Sequence, residues 1–124
     1  MKALCQLSEL PQSGVRISVE GALLRLQFDF SEAEPLEGEV TTDIYNCESV
    51  DVNGRTYGDI VSAIVNDRYS ADEVQAIMAN YAEALDGSSD ITAEKRAEYL
   101  AEYEAYQACR KHAKEIAAQV VSTL

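Results

Sequence analysis

Cys109 and His112 stand three residues apart in a stretch with helical periodicity, a spacing that makes a thiol and an imidazole neighbours on one helix. An imidazole that takes the thiol proton creates a nucleophile. That chemistry also needs a group to orient the base, an oxyanion site and a cleft. The sequence shows none of these, and on a helical wheel Cys109 points inward with His112 at the edge, so the pair reads as structural. A zinc site asks for several Cys or His ligands at close spacing, whereas the chain has one His and three scattered cysteines, Cys5, Cys47 and Cys109. The acidic run Asp29, Glu32, Glu34, Glu37 and Glu39 could collect calcium but lacks the spacing that wraps a loop around the cation, and a solvated loop is the simpler reading. There is no phosphate-binding glycine motif, and no carboxylate pair is singled out for acid–base work. We therefore expect no catalytic residue, no cofactor and no metal.

The elements that would carry these side chains follow from periodicity. Val15, Ile17 and Val19, then Leu24, Leu26, Phe28 and Phe30, alternate with polar residues at period two. With Glu20-Gly21 as the turn, residues 15–30 read as a β-hairpin. Residues 31–39, with Pro35, Gly38 and four Glu, read as an exposed acidic loop. A third strand is expected from Asp43 to Val52. Asn53-Gly54 is the strongest short hairpin signal in the chain, and residues 55–57 would begin a return strand. Residues 1–14 read as a strand or an arm onto a partner.

From Tyr57 the period becomes helical. Tyr57, Ile60, Val61, Ile64 and Val65 mark one face of a short helix ending near Tyr69. Ser70 and Glu73 form a capping box for a second helix, whose apolar positions are Val74, Ile77, Met78, Tyr81 and Leu85. Asp86 to Ser89 ends it, with Gly87 in the left-handed C-cap position. Arg68 is expected to pair with Asp67, Asp72 or Glu73, a contact of small energetic value. Thr92 caps a long helix, Ala93 to Ser122, with acids early and bases late, as the helix dipole favours.

The fold class that results is α+β: a small N-terminal antiparallel sheet of three to four strands, then three helices, the last one long. We read one domain over 1–124, with 1–56 mainly β and 57–124 mainly α. The expected core is Ile17, Val19, Leu24, Leu26, Phe28, Ile60, Val61, Ile64, Val74, Ile77, Met78, Tyr81, Ala113, Ile116 and Val120.

On the long helix Tyr99, Tyr103, Tyr106, Cys109, Ala113, Ile116, Ala117, Val120, Val121 and Leu124 share one side. Thirty residues span about 45 Å, against about 35 Å for a compact domain of this size. The helix should then overhang its domain and offer its stripe to a partner, unless it breaks near Tyr106–Arg110 and folds back. We take Tyr99, Tyr103, Tyr106, Val120, Val121 and Leu124 as the candidate protein interface, with ordinary helix packing as the alternative for the tyrosines.

Charge narrows the partners. The 124 residues carry 22 Asp+Glu and 10 Lys+Arg, a formal net charge of −12, which opposes direct binding to phosphate backbones. No apolar run approaches the ~20 residues of a membrane helix, and Met1 to Leu10 lacks the apolar core of a signal peptide. Three cysteines, far apart and odd in number, are not a disulfide framework. The chain reads as a reduced, cytoplasmic-type protein with a protein partner, which includes itself as a homo-oligomer.

The stretch Thr56 to Val74 (TYGDIVSAIVNDRYSADEV), followed by a Tyr- and Ala-rich helix bearing Arg110-Lys111-His112-Ala113-Lys114, resembles a segment of small proteins encoded by bacteriophages and prophages of gut bacteria. The resemblance covers residues 44–120. It implies a virion, tail-assembly or accessory role, in the host cytoplasm or the virion, and transfers no site residues. Two functions of different class therefore stand: a non-enzymatic assembly protein acting through its C-terminal helices, and an acidic mimic of DNA that blocks a host nucleic-acid-binding protein.

Overall fold

The computed structural model describes residues 1–7, 9–33 and 44–124. Its elements are β1 (Lys2–Gln6), β2 (Val15–Glu20), β3 (Leu23–Glu32), β4 (Ile44–Val52), α1 (Tyr57–Arg68), α2 (Ala71–Leu85) and α3 (Ala93–Thr123). This is the α+β arrangement expected, a four-stranded antiparallel sheet followed by three helices. The acidic loop expected at 31–39 lies mostly outside the described residues.

The strands run in the order β1-β4-β3-β2. The β2–β3 hairpin turns on Gly21-Ala22 with Glu20 opposite Leu23. Gly21 takes φ 63°, which suits the first position of a two-residue loop and which a Cβ would strain. Residues 2–6 are an edge strand paired to β4, with Ala3 opposite Cys47 and Cys5 opposite Tyr45.

Period-two alternation separates the two faces of the sheet. Leu24 and Leu26 lie opposite Val52 and Val50, and all four join the buried cluster with Val15 and Phe28. The intervening residues form polar ladders. Arg25 bonds Asp51 across the strands at 2.9 Å and Glu20 at 3.1 Å, and Arg16 donates to Gln27. Ile60, Ile64 and Val65 of α1, with Ala113, Ile116, Ala117 and Val120 of α3, complete the core.

Asn53-Gly54 does not form the expected hairpin, and residues 55–57 add no strand. The chain passes directly from β4 into α1. Thr56 caps this helix, accepting from the Asp59 amide while the Asp59 carboxylate accepts from the Thr56 amide. A Cβ at residue 54 would run into that carboxylate, so Gly54 gives the cap its room. The expected Ser70–Glu73 capping box is present on α2. The expected left-handed Gly87 is not, since among the described residues Gly14 and Gly21 are the glycines with positive φ. Asp86 ends α2 instead, and its carboxylate accepts from the Ser88 amide and hydroxyl.

Two expected core residues are at the surface. Val19 is 63% exposed and Met78 43%. Val19 lies near the end of the edge strand β2, at the margin of the sheet. Met78 sits on the flank of α2 turned away from α3. Ile17, Val61 and Val74 pack against the core from its margin, and Tyr81 is half-buried.

Candidate functional site

α3 is continuous from Ala93 to Thr123, so it neither breaks nor folds back. Its stripe does not stay bare, because α2 covers the first half and α1 and the sheet cover the second. Tyr103 stacks on Tyr81 with ring centroids 3.6 Å apart and planes 9° apart. Tyr106 meets Tyr69 edge-on at 5.2 Å. Arg96 donates to the Ala84 and Asp86 carbonyls, satisfying the C-terminal end of α2.

The six candidate interface residues therefore divide. Tyr106 and Val120 are buried in the core and are not available to a partner, which corrects that assignment. The buried face of a straight helix rotates along its length relative to a fixed line of side chains, and here it moves from α2 toward the sheet. Tyr99 and Tyr103 are half-buried, with the Lys95 ammonium 5.4 Å from the Tyr99 ring centre. Val121 and Leu124 are exposed.

On α2 the apolar residues spread wider than α3 can cover. Val74, Met78, Ala82 and Leu85 follow at i, i+4, i+8 and i+11 along one ridge. Val74 packs at the core margin, while Met78, Ala82 and Leu85 are exposed, Leu85 to 63%. No Lys or Arg occurs from residue 69 to 94, whereas 105–114 holds Arg110, Lys111 and Lys114 and no acid.

A second feature is a cleft of about 540 Å³ between β1, β3, β4, α1 and α3. Its buried lining is Phe28, Val50 and Ile64. Asp29 stands at its edge with φ 55°, a left-handed conformation uncommon outside glycine. It sits where the β3–β4 register shifts between Phe28 and Ser31, a bulge that re-aims the side chain. The carboxylate meets His112 Nε2 at 2.8 Å, and the imidazole lies edge-on to Phe28.

This contact decides the Cys109–His112 pair. Nε2 of His112 is engaged by Asp29, and Nδ1 is 4.0 Å from Glu115. Among the described residues no hydrogen bond joins the imidazole to the Cys109 thiol, although both line the cleft. Burial raises the Cys109 thiol above its ordinary value, against a smaller opposing pull from Arg68. The thiol form is favoured, and the geometry holds a sheet-to-helix contact where a nucleophilic dyad would need a thiol–imidazole bond.

Arg68 does not make the expected pair. Asp67 and Glu48 accept instead from the N-terminal ammonium, and Glu73 is committed to its cap. Among the described residues Arg68 has no ion pair, and no three His, Cys, Asp or Glu side chains converge as a metal would require.

The sheet also brings together two cysteines that are distant in sequence. The β1–β4 register sets Cys5 diagonal to Cys47 on one face, both buried. Burial, reinforced by the Cys5 thiol, pushes the Cys47 thiol up to about 11. No local signal marks this neighbourhood, because it depends on which strand β1 joins.

No helix of the described residues is long and apolar enough to cross a membrane. Compared with protein-family models, curated proteins and solved structures, the chain matches none.

Proposed function

We propose that the protein is a non-enzymatic assembly protein whose copies associate through the exposed ridge of α2. The observation that carries this reading is the exposure of Met78 and Leu85 on a helix that buries only Ile77 and Ala84. Water contact with large apolar side chains on one ridge is relieved when another chain covers them. Charge supports a second copy as that chain. The ridge lies in the base-free stretch 69–94, and the stretch 105–114 supplies bases without acids. An acidic ridge facing a basic segment of the next copy gives orientation, and apolar burial gives most of the affinity. We extend the proposal to a phage or prophage setting on the sequence pattern of residues 44–120 alone.

Light scattering after size exclusion, at low and high salt, tests the reading. The wild-type chain is expected as a defined oligomer that persists in high salt. The Met78→Glu/Leu85→Glu double variant is expected as a monomer with unchanged helical circular dichroism. A wild-type monomer, or an oligomer indifferent to both substitutions, would overturn the proposal.

A further inference from the structure

We infer that the cleft between β1, β3, β4, α1 and α3 binds a small organic carboxylate with an apolar body, the carboxylate on Arg68 and the body against Phe28, Val50 and Ile64. The inference is independent of assembly through α2. The cleft volume of about 540 Å³ lies in the ~300–1,000 Å³ range of small-molecule sites. Its buried lining is apolar, and its charged residues are exposed or half-buried.

These charged groups select the ligand class. Asp29 is engaged by His112, and Asp67 and Glu48 by the N-terminal ammonium. A cationic ligand would have to displace those contacts. Lys2 and Arg68 also line the cleft, and among the described residues neither has an ion pair. Among the described residues, the charged donors of the lining not already used are therefore these two cations, in a chain of net charge −12. A guanidinium presents two parallel N–H groups that match a carboxylate, the stronger form of charge-assisted hydrogen bond. A neutral apolar ligand would leave those donors unused, and a small inorganic anion would leave the apolar lining wet. An amphipathic carboxylate satisfies both.

Cys109 provides the readout, because its half-buried thiol lines the same cleft. Octanoate is the probe and octanamide its uncharged counterpart. Binding is followed by calorimetric titration and by the rate at which N-ethylmaleimide, a neutral reagent, alkylates Cys109. Octanoate is expected to bind saturably and to slow alkylation. Octanamide, and octanoate with the Arg68→Gln variant, are expected to bind at least about tenfold more weakly. Arg68 is exposed, so Arg68→Gln should fold; if it does not, the comparison of octanoate with octanamide on the wild-type chain decides. Equal binding of acid and amide, unchanged octanoate binding by a folded Arg68→Gln, or no saturable binding at millimolar octanoate would overturn the inference.

Discussion

A methyl group on residue 54 would fall onto the Asp59 carboxylate that closes the capping box of α1. Gly54→Ala should therefore lose the reciprocal cap and cost about 1 kcal/mol, read as a lower urea midpoint. Gly58→Ala, with open space around its Cβ inside the same helix, should raise the midpoint. Ionisation is decided equally locally. The Arg25 guanidinium holds the Asp51 carboxyl below its ordinary 3.8, and the Ser88 hydroxyl and amide do the same for Asp86. Each carboxyl then takes up its proton less readily in the folded chain than in the unfolded one. Their stabilisation is present in full above the ordinary carboxyl value and is lost as pH falls through it toward the lowered one. An Asp51→Asn/Asp86→Asn variant should show a flatter dependence of melting temperature on pH below about pH 5.

Among the elements, α3 shows why a stripe on a helical wheel is not yet an interface. Tyr99 and Tyr106 belong to one apolar side by sequence, yet Tyr106 is buried against Tyr69 while Tyr99 is half-buried beside Lys95. Tyr106→Ala should cost about 3–5 kcal/mol in urea unfolding, as large-to-small changes in a core do. Tyr99→Ala should cost less than about 1 kcal/mol. Local patterns were legible wherever the cause is local. Leu24, Leu26 and Phe28 read as a half-buried strand because alternate residues face opposite sides of a sheet, and Ser70 and Thr92 read as caps because a hydroxyl satisfies the nearest free amide. Asn53-Gly54 misled because a glycine, which tolerates positive φ in a turn, also serves where backbone must pass close to a side chain, as at Gly54. The partner of Asp29, and the absence of an ion pair for Arg68 among the described residues, were not legible. Asp29 meets His112 across 83 residues, and of the carboxylates beside Arg68 on the chain Asp67 is used by the N-terminal ammonium and Glu73 by a cap. The cleft is made by five elements at once, so no short window of sequence outlines it.

Across the whole molecule, the sheet order joins pairings of very different sequence span. β2 and β3 meet through two residues, while the Cys5 thiol approaches the Tyr45 carbonyl across 40. Closing a longer span costs more chain entropy, and an edge strand recovers less of it through packing. β1 should therefore be the last part of the sheet to assemble and the first to come away. In native-state hydrogen exchange, the amides of Lys2–Gln6 should trade their protons through a partial opening well before those of Leu24, Leu26 and Phe28, which are released only by global unfolding. Equal protection of the two strands would mean that the sheet opens as a single unit. Early release of β1 would also uncover the outer edge of β4, so the strand that completes the sheet would double as its latch.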